Sequence, residues 1–107
     1  MIFHIATKAA WDEAARAGSY RADTLEAEGF IHCSEADQVA EVANARFRGR
    51  EDLVLLWIDP KRVRAEIKYE DASDGSGTFP HIYGPLDIDA VARITDYREQ
   101  DGAFRSP

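Results

Sequence analysis

Short apolar runs and regular alternation of apolar with polar residues predict most of the secondary structure of this chain. Residues 53–58 are apolar at every position, which predicts a central strand covered on both faces. Residues 65–70 alternate instead, so Ala65, Ile67 and Tyr69 are expected to face inward and the charged residues between them outward. Further strands are predicted at residues 2–6, 30–33, 79–84 and 92–98.

Two main helices are predicted in the first half of the chain. The first follows Thr7, a favoured N-cap residue, and ends at Gly18, which adopts the left-handed backbone of a helix end easily. The second is predicted to begin at Ser34, which has an acidic residue three positions later, and to stop at Gly49. A single helical turn at residues 24–28 lies between them. This order of elements predicts a small α+β fold with a mixed or mostly antiparallel sheet.

Length and charge narrow the class of protein. A chain of 107 residues fits a single domain, residues 1–107. The net charge of −7 disfavours general binding to nucleic acid and to anionic membrane surfaces. The single cysteine excludes an intrachain disulfide, and the first residues lack the pattern of a signal peptide. We therefore expect a cytoplasmic protein that binds a small molecule.

The three histidines each interrupt an apolar strand of the prediction. They are His4, His32 and His81. A buried imidazole costs free energy unless its nitrogens find partners, and imidazole titrates near neutral pH and binds metals. We expect at least two of these rings to meet at one pocket lined by aromatic side chains such as Tyr83, because small-molecule sites have this character. The alternative is that each ring hydrogen-bonds a nearby carbonyl and stabilises its own strand.

Residues 28–34 bring several polar and ionisable side chains close together in the sequence. Ser34 lies at a predicted helix start, where free amide groups attract anions, and His32 precedes it on the same strand face. A phosphate or carboxylate would bind to Ser34 and the helix amides, and His32 would supply a proton or a hydrogen bond. The alternative is that Ser34 is only a helix cap. Cys33 points to the opposite face, which predicts a buried structural thiol and disfavours a metal shared with His32. A site with three histidine ligands stays open.

Glu70 ends the alternating strand beside a glycine-rich loop at residues 71–77. It is a candidate catalytic carboxylate at the rim of the histidine pocket, and the alternative is a solvated charge like Glu66 and Lys68. Its orientation separates two classes of function. A carboxylate that points towards the histidines favours chemistry, whereas one that points to solvent favours a non-catalytic domain.

Four motifs in order carry a resemblance to a known family. They are Phe-His-Ile at residues 3–5, Glu-Gly-Phe-Ile-His-Cys-Ser at 28–34, Leu-Val-Leu-Leu-Trp-Ile-Asp at 53–59 and Phe-Pro-His-Ile-Tyr-Gly-Pro-Leu at 79–86. Over residues 1–98 the chain resembles the bacterial domain-of-unknown-function family 952 (DUF952). The resemblance implies a small ADP-ribosylation-like fold, similar to that of the ADP-ribosyltransferases, which hold NAD in a cleft. By the same resemblance His4 matches a position on the first core strand, Ser34 or Tyr83 one on the second, and Glu70 a later glutamate.

The sequence therefore predicts a nucleotide-sized pocket lined by histidines. The candidate catalytic residues are His4, His32 and Glu70, and the candidate ligand-binding residues are Ser34, His81 and Tyr83. The residues alone do not indicate a particular cofactor. The resemblance suggests NAD or a related nucleotide as the candidate ligand, with ADP-ribosyl or phosphoryl transfer as the reaction. The alternatives are a non-catalytic domain that binds a small ligand or a protein, and a three-histidine metal site.

Overall fold

The apolar strand β4, Leu53–Ile58, lies at the centre of the first sheet. The computed structural model describes the whole chain, Met1–Pro107. β4 pairs antiparallel with β1, Ile2–Thr7, on one side and with β8, Val91–Asp96, on the other. Both faces of β4 are buried against other residues, which confirms the prediction from its composition.

A second antiparallel sheet carries the site. It consists of β3, Ile31–His32, β6, Thr78–Tyr83, and β5, Glu66–Asp71, with β6 in the middle. A two-stranded ribbon pairs β2, Ser19–Tyr20, with β7, Leu86–Asp87. Every strand pair is antiparallel, so the sheets contain no parallel pairing.

Three helices accompany the sheets: α1, Lys8–Ala17, α2, Asp23–Glu28, and α3, Val39–Arg46, with short 3₁₀ turns at Pro60–Arg62 and Ile88–Ala90. The predicted ends of α1 are confirmed. The Thr7 hydroxyl accepts a hydrogen bond from the Ala10 amide at 3.1 Å, and Gly18 has φ 91°. None of the helices is long and apolar enough to cross a membrane.

The predicted start of α3 at Ser34 is wrong. Ser34 exchanges two backbone hydrogen bonds with Phe3, each of 2.8 Å, and so extends the sheet instead of starting a helix. The chain then turns, and the Glu35 amide donates to the Gln38 side chain at 2.8 Å before the helix begins at Val39. Pairing of the backbone with β1 therefore overrides the local helix-start signal.

The hydrophobic core has two parts, one on each face of the first sheet. The larger part fills the space between the two sheets and α1, and its fully buried members include Ile31, Leu56 and Ile82. The smaller part lies beneath α3 and includes Phe104 from the C-terminal segment. The inner face of the β3–β6–β5 sheet thus packs into the core, and polar side chains of this sheet can lie on its outer face.

In this sheet Pro80 lies in the middle strand β6, and its carbonyl accepts a hydrogen bond from the Cys33 amide at 3.0 Å. One side-chain orientation differs from the prediction. Tyr69 is 56% exposed rather than inward-facing. Ala65 and Ile67, which were expected on the same face as Tyr69, do pack against the core. The coarse prediction of a small α+β domain with antiparallel sheets is confirmed.

Candidate ligand-binding face

The outer face of the β3–β6–β5 sheet gathers aromatic, imidazole and charged side chains. His81 on β6 pairs in register with His32 on β3 and with Lys68 on β5. Side chains two residues apart on a strand share a face, so the neighbours of these three residues complete the group. We call it the outer face and define it by six residues: Phe30, His32, Lys68, Glu70, His81 and Tyr83.

Glu70 is the centre of the hydrogen bonds on the outer face. One carboxylate oxygen, Oε1, accepts from the Tyr83 hydroxyl at 2.5 Å and from His81 Nδ1 at 2.8 Å. These two donors, Tyr83 first and His81 second, lower the pKa of Glu70, and the same bond to Glu70 raises the pKa of Tyr83. Glu70 is therefore ionised at neutral pH, and its second oxygen is free of hydrogen bonds within the protein.

The His81 imidazole is nearly buried, and one of its two nitrogens makes no hydrogen bond within the protein. Its ring stacks on Phe30, with centroids 4.1 Å apart and an angle of 20° between the planes. With Nδ1 donating to Glu70, Nε2 carries the lone pair in the neutral form of the ring. Nε2 has no partner within the protein, yet it is not among the fully enclosed unpaired atoms, so it is accessible to solvent. A carboxylate that fixes the tautomer of an imidazole in this way prepares it to accept a proton.

His32 flanks His81 at the edge of the outer face. The two ring centroids lie 5.2 Å apart in an edge-to-face arrangement. The His32 side chain is 50% exposed, and its Nε2 lies 3.3 Å from a carboxylate oxygen of Glu28 on α2. His32 and His81 thus lie side by side on one surface. That at least two of the three histidines line a shared pocket stays a prediction.

His4 does not belong to this surface, and the expectation that it lines a shared pocket is corrected. Its Nδ1 donates to the His32 carbonyl at 2.5 Å, and its Nε2 accepts from the Tyr20 hydroxyl at 2.8 Å. Burial lowers the pKa of His4 to about 4. With both nitrogens occupied inside the protein, His4 links β1 to β3 and to β2, the structural role that the sequence left open as an alternative.

Ser34 and Cys33 lie outside the outer face as well. Ser34 is buried in its backbone bridge to Phe3, so the predicted anion site at a helix start does not form. Cys33 is buried in the core, and burial raises the pKa of its thiol, as expected of a structural cysteine.

Comparison with known proteins establishes the family. Residues 5–94 match the family described as Protein of unknown function (DUF952). The chain belongs to the DUF952 family. Its fold is similar to the crystal structure of protein CC0527 from Caulobacter crescentus, at 35% identity and a TM-score of 0.85, covering 97% of this chain and 92% of that chain. A double mutant of CC0527 gives the same values, and its solution structure gives 36% identity and a TM-score of 0.82 over 95% and 89% of the two chains.

No curated protein matches this DUF952 chain. The family match confirms the membership expected from the four motifs. It assigns no function, so any function of this chain rests on the residues of the outer face.

Two cavities of the DUF952 chain lie away from the outer face. One of about 150 Å³ lies between Trp57 and the C-terminal residues, and one of about 380 Å³ lies within the loop at residues 71–77. No group of three or more His, Cys, Asp or Glu side chains is placed to hold a metal ion. The three imidazoles therefore do not form the metal site that the sequence left open.

The sequence did not single out two residues that make contacts on or beneath the outer face, Lys68 and Tyr20. Lys68 was expected to be one of several solvated charges, but its ammonium lies 4.8 Å from the centroid of the Tyr83 ring. Tyr20, the hydrogen-bond partner of His4, lies in a two-residue strand that is too short for alternation to reveal. The signal for Lys68 was present, because the alternation of β5 places it on the same face as Glu70.

Proposed function

We propose that the outer face binds a nucleotide-sized small molecule and that Glu70 and His81 carry out acid–base chemistry on it. The observation that carries the proposal is the shared carboxylate: Glu70 accepts from both His81 and Tyr83 while keeping one oxygen free. Structural ion pairs also occur on protein surfaces, but a nearly buried imidazole oriented by a carboxylate is typical of functional sites.

The aromatic side chains support a ligand with a flat ring. Phe30 and Tyr83 lie with their ring centroids 5.2 Å apart and are both half-buried, so each offers part of its surface for stacking. NAD or a related nucleotide is the ligand class within this proposal. It follows from the resemblance to ADP-ribosyltransferases, and the ADP-ribosylation-like fold is part of the same proposal.

The proposed role of each residue follows from the atoms that make no hydrogen bond within the protein. In ADP-ribosyl transfer the bond between nicotinamide and ribose breaks, nicotinamide leaves with the electron pair, and positive charge develops on the ribosyl carbon. The free oxygen of Glu70 would stabilise that charge, and Nε2 of His81 would take the proton of the incoming acceptor. Tyr83 would stack on a ring of the ligand, and His32 would contact it from the edge of the face. His4 and Ser34 have no direct role.

The proposal is tested with a thermal-shift panel of NAD, ADP-ribose, AMP and a phosphosugar. A ligand at one hundred times its dissociation constant stabilises the folded protein by about 2.7 kcal/mol. We expect at least one nucleotide to stabilise the wild-type chain and the Glu51→Gln variant equally. Glu51 is an exposed carboxylate before β4 without an ion pair, so it provides a control of equal charge change.

The Glu70→Gln variant is expected to lose most of this shift, because a neutral amide replaces the carboxylate while it can still accept hydrogen bonds from His81 and Tyr83. A flat response across the panel would remove the nucleotide proposal. Nuclear magnetic resonance of the bound ligand then separates the two classes of function. Release of nicotinamide from NAD indicates an enzyme, whereas an unchanged ligand indicates the non-catalytic binding domain.

A further inference from the structure

A cation already occupies part of the outer face. The ammonium of Lys68 lies 4.8 Å from the centroid of the Tyr83 ring, which is within the range of a cation–π contact. The same ammonium lies close enough to Glu70 to help lower the pKa of that carboxyl. The pair of an aromatic ring and a carboxylate therefore forms a small cation site, and a flexible side chain of the protein itself fills it.

The charges around this site are predominantly negative. Glu28 lies beside His32. The hydrogen bond from Tyr83 to Glu70 is the main reason that the pKa of Tyr83 is raised, and the negative charge of Glu66 raises it further. Lys68 is the one lysine or arginine among the residues that contact or titrate with the outer face. Three carboxylates thus surround one ammonium, so the surface attracts cations more than anions.

His81 adds a second and independent indication of a ligand. Its side chain is nine-tenths buried, yet Nε2 has no partner in the protein and remains accessible at this surface. Since no protein group bonds Nε2, its hydrogen-bonding capacity is met by water or by a ligand. A ligand that donates an N–H group to Nε2 would satisfy it.

We propose that the ligand of the outer face carries a positively charged, flat organic group with an N–H donor, which takes the place of the Lys68 ammonium over Tyr83. This inference rests on the proposed binding function and narrows its ligand class. The cationic group stacks on Tyr83, its charge is balanced by Glu70, and its donor bonds His81. Lys68 competes for the same place and swings out to solvent when the ligand binds.

The test compares two ring compounds that differ in charge. 1-Methylnicotinamide is a cation with an amide N–H donor, and nicotinamide is its neutral counterpart. Each is titrated into uniformly ¹⁵N-labelled protein at neutral pH, and the dissociation constant is taken from the amide shifts of residues on β3, β5 and β6. We expect the cation to bind about twofold to fivefold more tightly, as a partly exposed cation–π contact allows.

A pair of lysine variants provides the matched control. Lys68→Gln removes the competing ammonium and one positive charge, so it should tighten the binding of 1-methylnicotinamide by about twofold or more and that of nicotinamide by less. Lys61→Gln removes the same charge from the exposed 3₁₀ turn at Pro60–Arg62 and should change neither constant.

Each outcome decides a different claim. Tighter binding of the cation at the outer face, enhanced by Lys68→Gln, supports the inference. Equal binding, tighter binding of the neutral ring, or no binding of either ring while a nucleotide still binds there overturns the inference alone. Failure of both rings and of the whole nucleotide panel overturns the proposed function as well.

Discussion

Acidification should destabilise this protein through His4, a residue that lies outside the proposed site. The imidazole is buried between β1, β2 and β3, and its two nitrogens bond the His32 carbonyl and the Tyr20 hydroxyl. A protonated ring would lose the bond in which Nε2 accepts from Tyr20, and it would place a charge in the core. Burial accordingly lowers the pKa of His4 to about 4 in the folded protein.

The magnitude follows from the difference between the folded and unfolded pKa values. An unfolded histidine titrates near pH 6.5, so between about pH 6.5 and about pH 4 the unfolded chain binds a proton that the folded chain does not. Stability is therefore complete above this window and falls as the pH decreases through it. At about 1.36 kcal/mol for each unit, the ~2.5 units of difference amount to about 3 kcal/mol.

Urea denaturation at several pH values between about 7 and about 4 measures this loss, with circular dichroism as the signal. Because carboxylates also titrate towards the acid end, the quantity to compare is the difference between the wild type and a His4→Gln variant. Glutamine can donate to the His32 carbonyl and accept from Tyr20, but it does not titrate. The wild type should lose about 3 kcal/mol more than His4→Gln over this range.

The control is His32→Gln, since the His32 side chain is half exposed and makes its one hydrogen bond to Glu28. This variant should follow the wild type closely. Parallel pH profiles for the wild type and His4→Gln would refute the reasoning, because they would show that His4 titrates alike in the folded and unfolded chains.

Three further predictions concern the scaffold. A Cβ atom on Gly84 would lie 2.8 Å from the Cβ of Ala65, so Gly84→Ala should cost about 1–3 kcal/mol and lower the melting temperature; an unchanged melting temperature would contradict this packing. The Asn44 side chain makes two hydrogen bonds with the backbone of Phe104, so Asn44→Ala should cost about 1–3 kcal/mol and speed hydrogen exchange at the Phe104 amide, whereas unchanged exchange would disprove the role of Asn44. The buried thiol of Cys33 should react with a thiol reagent only as fast as the protein unfolds, and immediate labelling of the native protein would be inconsistent with its burial.

The strands were predictable from the sequence because their apolar pattern records which side faces the core. The central strand at residues 53–58 was predicted with its observed bounds, and the face of His32 and His81 followed from period two. Ser34 was placed wrongly because the helix-start signal is local, whereas its backbone partner Phe3 is distant in sequence. Local patterns contain no information on such long-range pairing.

The same limit explains what was found and missed at the site. Glu70, His81 and Tyr83 were candidates for separate reasons, but the hydrogen bonds that join them depend on the register between β5 and β6. His4 had the same apolar strand context as the other two histidines. Only the packing of one sheet against the other shows that its ring lies beneath the outer face rather than on it.

The central claim is that the Glu70–His81–Tyr83 group marks the place where this protein binds its ligand. The most direct measurement is an amide chemical-shift map of the ¹⁵N-labelled protein with a nucleotide that stabilises it in the thermal panel. The account predicts that the largest changes occur on β3, β5 and β6 and that they are lost in Glu70→Gln. Changes confined to the cavity between Trp57 and the C-terminal residues, or a map that Glu70→Gln leaves intact, would contradict it.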